Sequence, residues 1–444
     1  MSRRAPLFAA LLSVLVYACE PSGGQGPGTA GGSGGSVPST GGSGGRGGAP
    51  GGGGTGGSAG SPANPDTAPP PSTPDGGTPP GPDAAPAVMG DCTPALPKSV
   101  FCDPLGTMPK SIKETGLFPS APDFSKHPAS LREFVPSPAL WSDGLEKQRF
   151  ILLPKGTKVD NSDPTYWMFP TGTLFIKTFF DDSGTGGKIR PIETRIIRSA
   201  KDVPYQFYVY QWDATGTDAT LVVDDTNGDT DKEILVDVTV KHMVGTTPLV
   251  VNNGMPFKHS LPSRRACGEC HSEHVEINFL GFDELRLNSK LSETSTKTQL
   301  QELFDAGVFT TAPRADAATV KDATMNDGGR MLRIKRFVYG NCYHCHNGNG
   351  LFNLHPDVFE MTVVNKPTDS QSVVPPRGWL RVVPGSPNTS VLYVQMERTK
   401  LPAPTGGMSM NRLRAMPPVG VADPAADQAA LKDVRDWIMA LPRN

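Results

Sequence analysis

The sequence predicts an α+β protein of several domains. An antiparallel, sandwich-like β-rich region should precede a helical region holding two Cys-x-x-Cys-His pentapeptides. Three observations carry this. The chain opens on a long Gly/Ser/Pro tract without large apolar residues, its middle holds closely spaced strand patterns, and its last third carries helical periodicity around the second pentapeptide. The boundaries follow: 1–19 a lipoprotein-type signal peptide, 20–90 a tether, 91–260 the β-rich domain, 261–325 a first motif region, and 326–444 a second, helical domain.

Ser2-Arg3-Arg4 is a basic start, and Ala5 to Val16 is an apolar stretch too short to span a bilayer comfortably. It ends in Val16-Tyr17-Ala18-Cys19, which resembles a lipoprotein signal with Cys19 as the lipidated residue. A plain cleaved signal peptide is the other reading. Pro21 to about Ala87 cannot bury a core and is expected to be a disordered spacer, on the order of 50 Å as a coil. Such a chain is expected in the periplasm or cell envelope, lipid-anchored to the outer membrane. Of seven cysteines, four lie in the pentapeptides and Cys19 is assigned to lipid. Cys92 and Cys102 remain as a possible short-loop disulfide, which an oxidising compartment permits.

From Gly144 to Gly254 the chain reads as strands. Phe150-Ile151-Leu152-Leu153, Leu174 to Phe180, Thr194 to Ile197 and Tyr205 to Trp212 are short β-rich runs between Gly, Pro and Asp turns. Val236, Val238 and Val240 alternate with Asp237, Thr239 and Lys241, the period-2 pattern of a half-buried strand. Asp225 to Asp231 resembles a calcium loop superficially. It lacks the glycine at the sixth position and the carboxylate at the twelfth, so an acidic hairpin turn is expected.

The pentapeptides are Cys267-Gly268-Glu269-Cys270-His271 and Cys342-Tyr343-His344-Cys345-His346. This is the attachment signature of haem c. Cys267 and Cys270, and again Cys342 and Cys345, would add to the vinyl groups of one macrocycle. His271 and His346 would reach the two irons. The rival reading, four cysteines around one zinc, does not call for a histidine directly after each pair. Two covalently bound haem c groups are therefore expected.

For the second motif, Arg330 to Tyr339 predicts a leading helix. Met416, held by Pro417 and Pro418, is the expected sixth ligand, with Met408 and Met410 as runners-up. Asp423 as N-cap and Pro424 at the first position should start a terminal helix, with Leu431, Val434, Ile438 and Leu441 as its apolar stripe. For the first motif no sixth ligand is assigned. His274 shares a helical face with His271 and would not reach across the same iron. His242, His259, Met243, Met255, Met325 and Met331 stay open, as does an empty position. His344 is expected to face solvent.

Several stretches together resemble a family of exported bacterial dihaem c-type cytochromes with a β-rich front and a cytochrome c-like back. They include Leu140-Trp141-Ser142-Asp143-Gly144 with Lys147 and Arg149, Gly172-Thr173 with Ile176-Lys177-Thr178-Phe179, and Glu193-Thr194-Arg195. Pro262-Ser263-Arg264 leads into Cys267, Leu280-Gly281-Phe282 follows it, and Met416-Pro417-Pro418 closes the series. The resemblance runs from about Ile112 to the C-terminus. It implies electron transfer without naming a substrate, and a C-terminal cytochrome c-like domain with Cys342, Cys345, His346 and Met416 in the matching positions.

Lys and Arg total 42 against 44 Asp and Glu, a net charge of −2, and no basic stripe suggests nucleic acid. The expected partners are a redox protein and, through the lipid, a membrane. Whether the chain is an enzyme is left open. An electron-transfer protein is the first reading, and the alternative is a peroxidase- or oxidase-like haem enzyme using a five-coordinate first haem.

Overall fold

The computed structural model describes residues 95–443 apart from 164–166, 185–188, 202–204, 225–233, 245–246, 272–278, 293, 315–328, 349–350, 369–379, 398–415 and 417–426. All of these belong to one compact unit, Pro62–Asn444. Signal segment, tether, Cys19, Cys92 and the expected acidic hairpin at Asp225 to Asp231 lie outside the described residues. Cys102 is disulfide-bonded.

The architecture is α+β. Strands β1 (Arg132–Glu133), β2 (Glu146–Leu152), β3 (Leu174–Asp181), β4 (Arg190–Ser199), β5 (Tyr205–Trp212) and β6 (Ala219–Asp224) pair in chain order as one antiparallel sheet. Strands β7 (Ile234–Val238) and β10 (Phe257–Leu261) form a two-stranded ladder, and β8 (Lys241–Val244) with β9 (Thr247–Val250) another. The expected sandwich of two facing sheets is thus one meander and two short ladders. Period-2 runs report that a strand is half-buried, but not what covers it.

Both faces of the meander are covered. On one, Phe150, Leu174, Ile176, Ile196, Tyr208 and Tyr210 pack on Met108, Ile112, Leu117, Phe118 and Leu131. The other face is divided. At one end Ile151, Phe175 and Ile197 meet Phe134, Phe279, Phe282 and Leu300. At the other Phe179, Val209 and Val223 meet Val238, Val240, Phe257 and Leu261. Between these apolar ends the register sets Arg149 opposite Lys177 and Lys177 opposite Arg195. Side chains alternate faces along a strand, so these three cations form a row on the same face as Phe175 and Phe179.

Helix α1 (Arg264–His271) follows β10 directly, and α2 (Glu284–Leu287) and α3 (Gln299–Asp305) close the first apolar end. Helices α4 (Arg330–Asn341), α5 (Phe359–Val363), α6 (Val391–Glu397) and α7 (Gln428–Ala440) build a separate core from Met331, Ile334, Val338, Phe359, Val363, Tyr393, Leu431, Val434, Trp437 and Ile438. The expected leading helix is α4. The terminal stripe is as read, with Leu431, Val434 and Ile438 buried and Leu441 packed at its edge. The described helix starts later than expected. Asp427, not Asp423, caps it by accepting from Ala430 N–H at 3.0 Å, and Asp423 and Pro424 lie outside the described residues.

The end of α4 is clamped to the segment between β1 and β2. Trp141 N–H donates to Asn341 Oδ1 at 2.7 Å, and Arg336 donates to Ser137 Oγ at 2.6 Å. Arg286 of α2, 2% exposed, donates to the Tyr339 carbonyl at 2.8 Å and lies over the Tyr339 ring at 4.3 Å. Gly340 allows this approach, because a Cβ there would stand 2.9 Å from the Ala139 carbonyl oxygen. Gly340→Val should therefore cost ~1–3 kcal/mol through overpacking against backbone that has nowhere to move, read as a lowered denaturant midpoint with an unchanged m-value.

Candidate functional site

The first motif is carried by α1. Ser263, buried at its start, accepts from Ala266 N–H through its hydroxyl at 3.3 Å and from Cys267 N–H through its carbonyl at 3.0 Å. Positions 267, 270 and 271 then share one face of the helix, since residues three and four apart are neighbours. All three line a cavity between α1, the polar centre of the sheet and the segment between β1 and β2. The cavity and its opening to solvent together hold about 1190 Å³ of atom-free space.

Phe134, Phe175, Phe207 and Phe279 supply most of its apolar wall, and the Phe207 ring lies 5.9 Å from that of His271. The floor is the row Arg149, Lys177 and Arg195, and Arg286 and Gly340 close the side toward α4. Arg195 is matched by Glu193, its Nε donating to Oε2 at 2.9 Å. Lys177 has no ion-pair partner among the described residues; its ammonium lies over the Phe179 ring at 4.8 Å. Burial, then the charges of Arg195, Arg149 and Lys147, hold Lys177 well below the usual lysine range. Burial likewise lowers Arg149 to about 10, with Glu133 pulling the other way.

The same electrostatics act on His271. Burial first, then Lys177, His344 and Arg195, push its imidazole down to about 3. Its Nδ1 is buried without a hydrogen-bond partner. A neutral imidazole with an uncommitted ring nitrogen is the form that binds a metal.

Behind the row lies a charged chain. His259 of β10, fully buried, has Nδ1 2.6 Å from Asp143 Oδ2 and Nε2 2.9 Å from Glu193 Oε1. Both ring nitrogens face carboxylates, so both carry protons and the ring is an imidazolium. Burial opposes its charge, but Asp143 and Glu193 outweigh burial and raise its pKa. Burial also opposes ionisation of Glu193, yet Arg195 and His259 hold its carboxyl down at about 2.

The second motif follows α4. Cys345 N–H and His346 N–H both donate to the Cys342 carbonyl, at 3.1 and 2.9 Å, which makes one helical turn of the pentapeptide. Cys342 packs against the C-terminal core, and burial, with Cys345 adding to it, pushes its thiol up to about 12. The His346 ring lies 4.5 Å from Phe352, under Arg381. Met416 is half-buried, and its N–H donates to the Gln395 carbonyl of α6 at 3.0 Å.

Other expectations are corrected. His344 does not face solvent: it is 4% exposed, and burial, then Arg286 and His346, lower it to about 4. As open candidates for the first iron, His259 and His242 are committed to carboxylates, His242 through Asp182 at 2.9 Å. Met243 and Met255 are exposed, and Met331 is sealed in the C-terminal core. His274, Met325, Met408 and Met410 lie outside the described residues. Among the described residues no three His, Cys, Asp or Glu side chains are grouped to hold a bare metal ion, so the four motif cysteines are not gathered around one zinc.

The sequence reading missed the cation row and Arg286. The signal was available at Lys177, which interrupts an otherwise apolar strand run, where an unpaired charge is costly without a purpose. No family model, no curated protein and no solved structure matches the chain.

Two pH limits follow from the charged chain. The contribution of His259 is whole below pH 6.5 and fades as pH rises through its raised folded value. That of Glu193 is whole above pH 4.5 and is lost as pH falls toward about 2. Glu193→Gln should cost ~3–5 kcal/mol in urea unfolding at pH 6, because it leaves Arg195 and His259 buried without their shared carboxylate. A cost below ~1 kcal/mol would show that this chain is not what holds the centre of the sheet.

Proposed function

We propose that the chain is an exported dihaem c-type cytochrome that transfers electrons, held to the cell envelope by lipid at Cys19. One observation carries the reading most. The three reactive groups of a haem c signature, Cys267, Cys270 and His271, open together onto one aromatic-walled cavity. His271 presents there as a neutral imidazole. The donor set is that of haem c, and the apolar, aromatic wall suits a macrocycle as the motif suits its attachment.

When bound, haem supplies a one-electron couple at its iron. The chain's own residues would do the rest. Cys267 and Cys270 would fix one macrocycle by thioethers, and Cys342 and Cys345 the second. His271 and His346 would each give one axial nitrogen, with Met416 completing the second site of a cytochrome c-like C-terminal domain. Phe134, Phe175, Phe207 and Phe279 would exclude water from the first site. Lys177, Arg149 and Arg195 would disfavour the extra positive charge of the oxidised iron and so raise the first potential.

The test is the pyridine haemochrome of protein matured in a periplasm. Two haems per chain are expected, falling to one in Cys267→Ser/Cys270→Ser and to one in Cys342→Ser/Cys345→Ser. A chain without a c-type α band ends the reading. Lys177→Met should lower one of the two midpoint potentials, on the order of tens of millivolts, and leave the other in place by spectroelectrochemical titration.

A further inference from the structure

The expected ligands of the first iron that lie among the described residues are committed, exposed or buried elsewhere, but one imidazole is not. His344 is 4% exposed, and its Nδ1 is buried without a hydrogen-bond partner. A buried polar atom left in that state needs an explanation.

The geometry points to His344, inside the second motif, as the sixth ligand of the first haem iron. Three observations converge on it. The pentapeptide forms a helical turn, with the N–H groups of Cys345 and His346 both on the Cys342 carbonyl. On such a turn residues 342, 345 and 346 share the face that a haem would cover, and residue 344 falls on the far side from 342 and 346. Tyr343 is accounted for, stacked on Tyr339 with ring centroids 5.2 Å apart. His344 is the member of the turn directed away from the second site with nothing to bind.

The turn is also held against the first cavity. Gly340 and Arg286 line that cavity beside Cys267, Cys270 and His271. Arg286 is fixed to the Tyr339 carbonyl, and Asn341 to Trp141, so the last turn of α4 cannot drift from the wall. The fit is chemical as well: neutral imidazole is the commonest protein ligand for transition metals, and the described residues lining the cavity include no histidine besides His271 and no methionine.

The assignment makes the first haem bis-histidine and therefore six-coordinate, which argues against an open, substrate-binding first iron. It also makes one turn serve two haems, Cys342, Cys345 and His346 on one side and His344 on the other. It rests on the dihaem reading, and the experiment separates the two. His344→Ala leaves both attachment signatures intact, so wild type and variant should each carry two haems by pyridine haemochrome. By electron paramagnetic resonance of the ferric proteins, the variant should show one more high-spin haem per chain than wild type, and added imidazole should return it to low spin. A second variant covers a folding defect. His344→Met should keep the first haem low-spin and raise its potential, as methionine ligation does. Two haems with no gain of high-spin signal in His344→Ala, or no change of potential in His344→Met, would overturn the ligand alone. Fewer than two haems in wild type would overturn the dihaem reading, and the ligand with it.

Discussion

The structure turns on a buried carboxylate. Glu193 lies at the centre of the sheet and takes Arg195 on one side and His259 on the other. His259 in turn holds Asp143, whose left-handed backbone, φ 55°, begins the tight turn into β2. One side chain thus fastens the central strand β4, the partner ladder through β10, and the segment that walls the cavity. Helix α1 starts just after β10, so the placement of Cys267, Cys270 and His271 depends on this chain. The bonds are charge-assisted and shielded from water, the setting in which a buried pair is worth keeping only if each member is satisfied. Lys177 sits beside that chain and does not join it. Its charge is left for the cavity.

This division explains why the second face of the sheet is apolar at both ends and polar in the middle. A continuous hydrophobic face would have packed more simply and left no room. The row Arg149, Lys177 and Arg195 interrupts the face where α1 crosses it, so the two apolar clusters close around a gap. The clamp from α4 fixes the remaining side. Arg286 works there as Glu193 does at the centre. It is a buried charge satisfied by Asp283, by the Tyr339 carbonyl and by the Tyr339 ring, joining α2 to the helix that carries the second motif.

Much of this was legible in the sequence. The strand runs became β2 to β5 and β7 because alternation and turn residues agree locally. Both pentapeptides were visible because their chemistry fixes spacing, and Leu431, Val434 and Ile438 because a helix stripe repeats along the chain. What covers each strand was not legible, since a half-buried strand looks the same against a second sheet as against α1 and the N-terminal segment. The end of α7 was misplaced by one turn because Asp423-Pro424 and Asp427 are equally good local caps. The exposure of His344 was misread for a different reason. Local spacing puts it on the far side of the turn from Cys342 and His346, and solvent was the default for that direction. It is buried where Arg286 and the segment at Ala139 to Trp141, both distant in sequence, close on the end of α4.

The correction at His344 changes how the two motifs relate. Read along the chain, they are two sites separated by a stretch of helices and loops. In the fold, the end of α4, which leads into the second, reaches the wall of the first, where Gly340 and Arg286 line the cavity and Arg286 holds the Tyr339 carbonyl. Anchoring by the α4 clamp and by the Glu193 chain holds both motifs in place, because neither wall can move without leaving a buried charge unsatisfied. The positive row at Lys177 acts on the first site, while the His346 site lies against the aromatic and aliphatic core of the C-terminal helices. Two copies of one pentapeptide are therefore given different electrostatic surroundings.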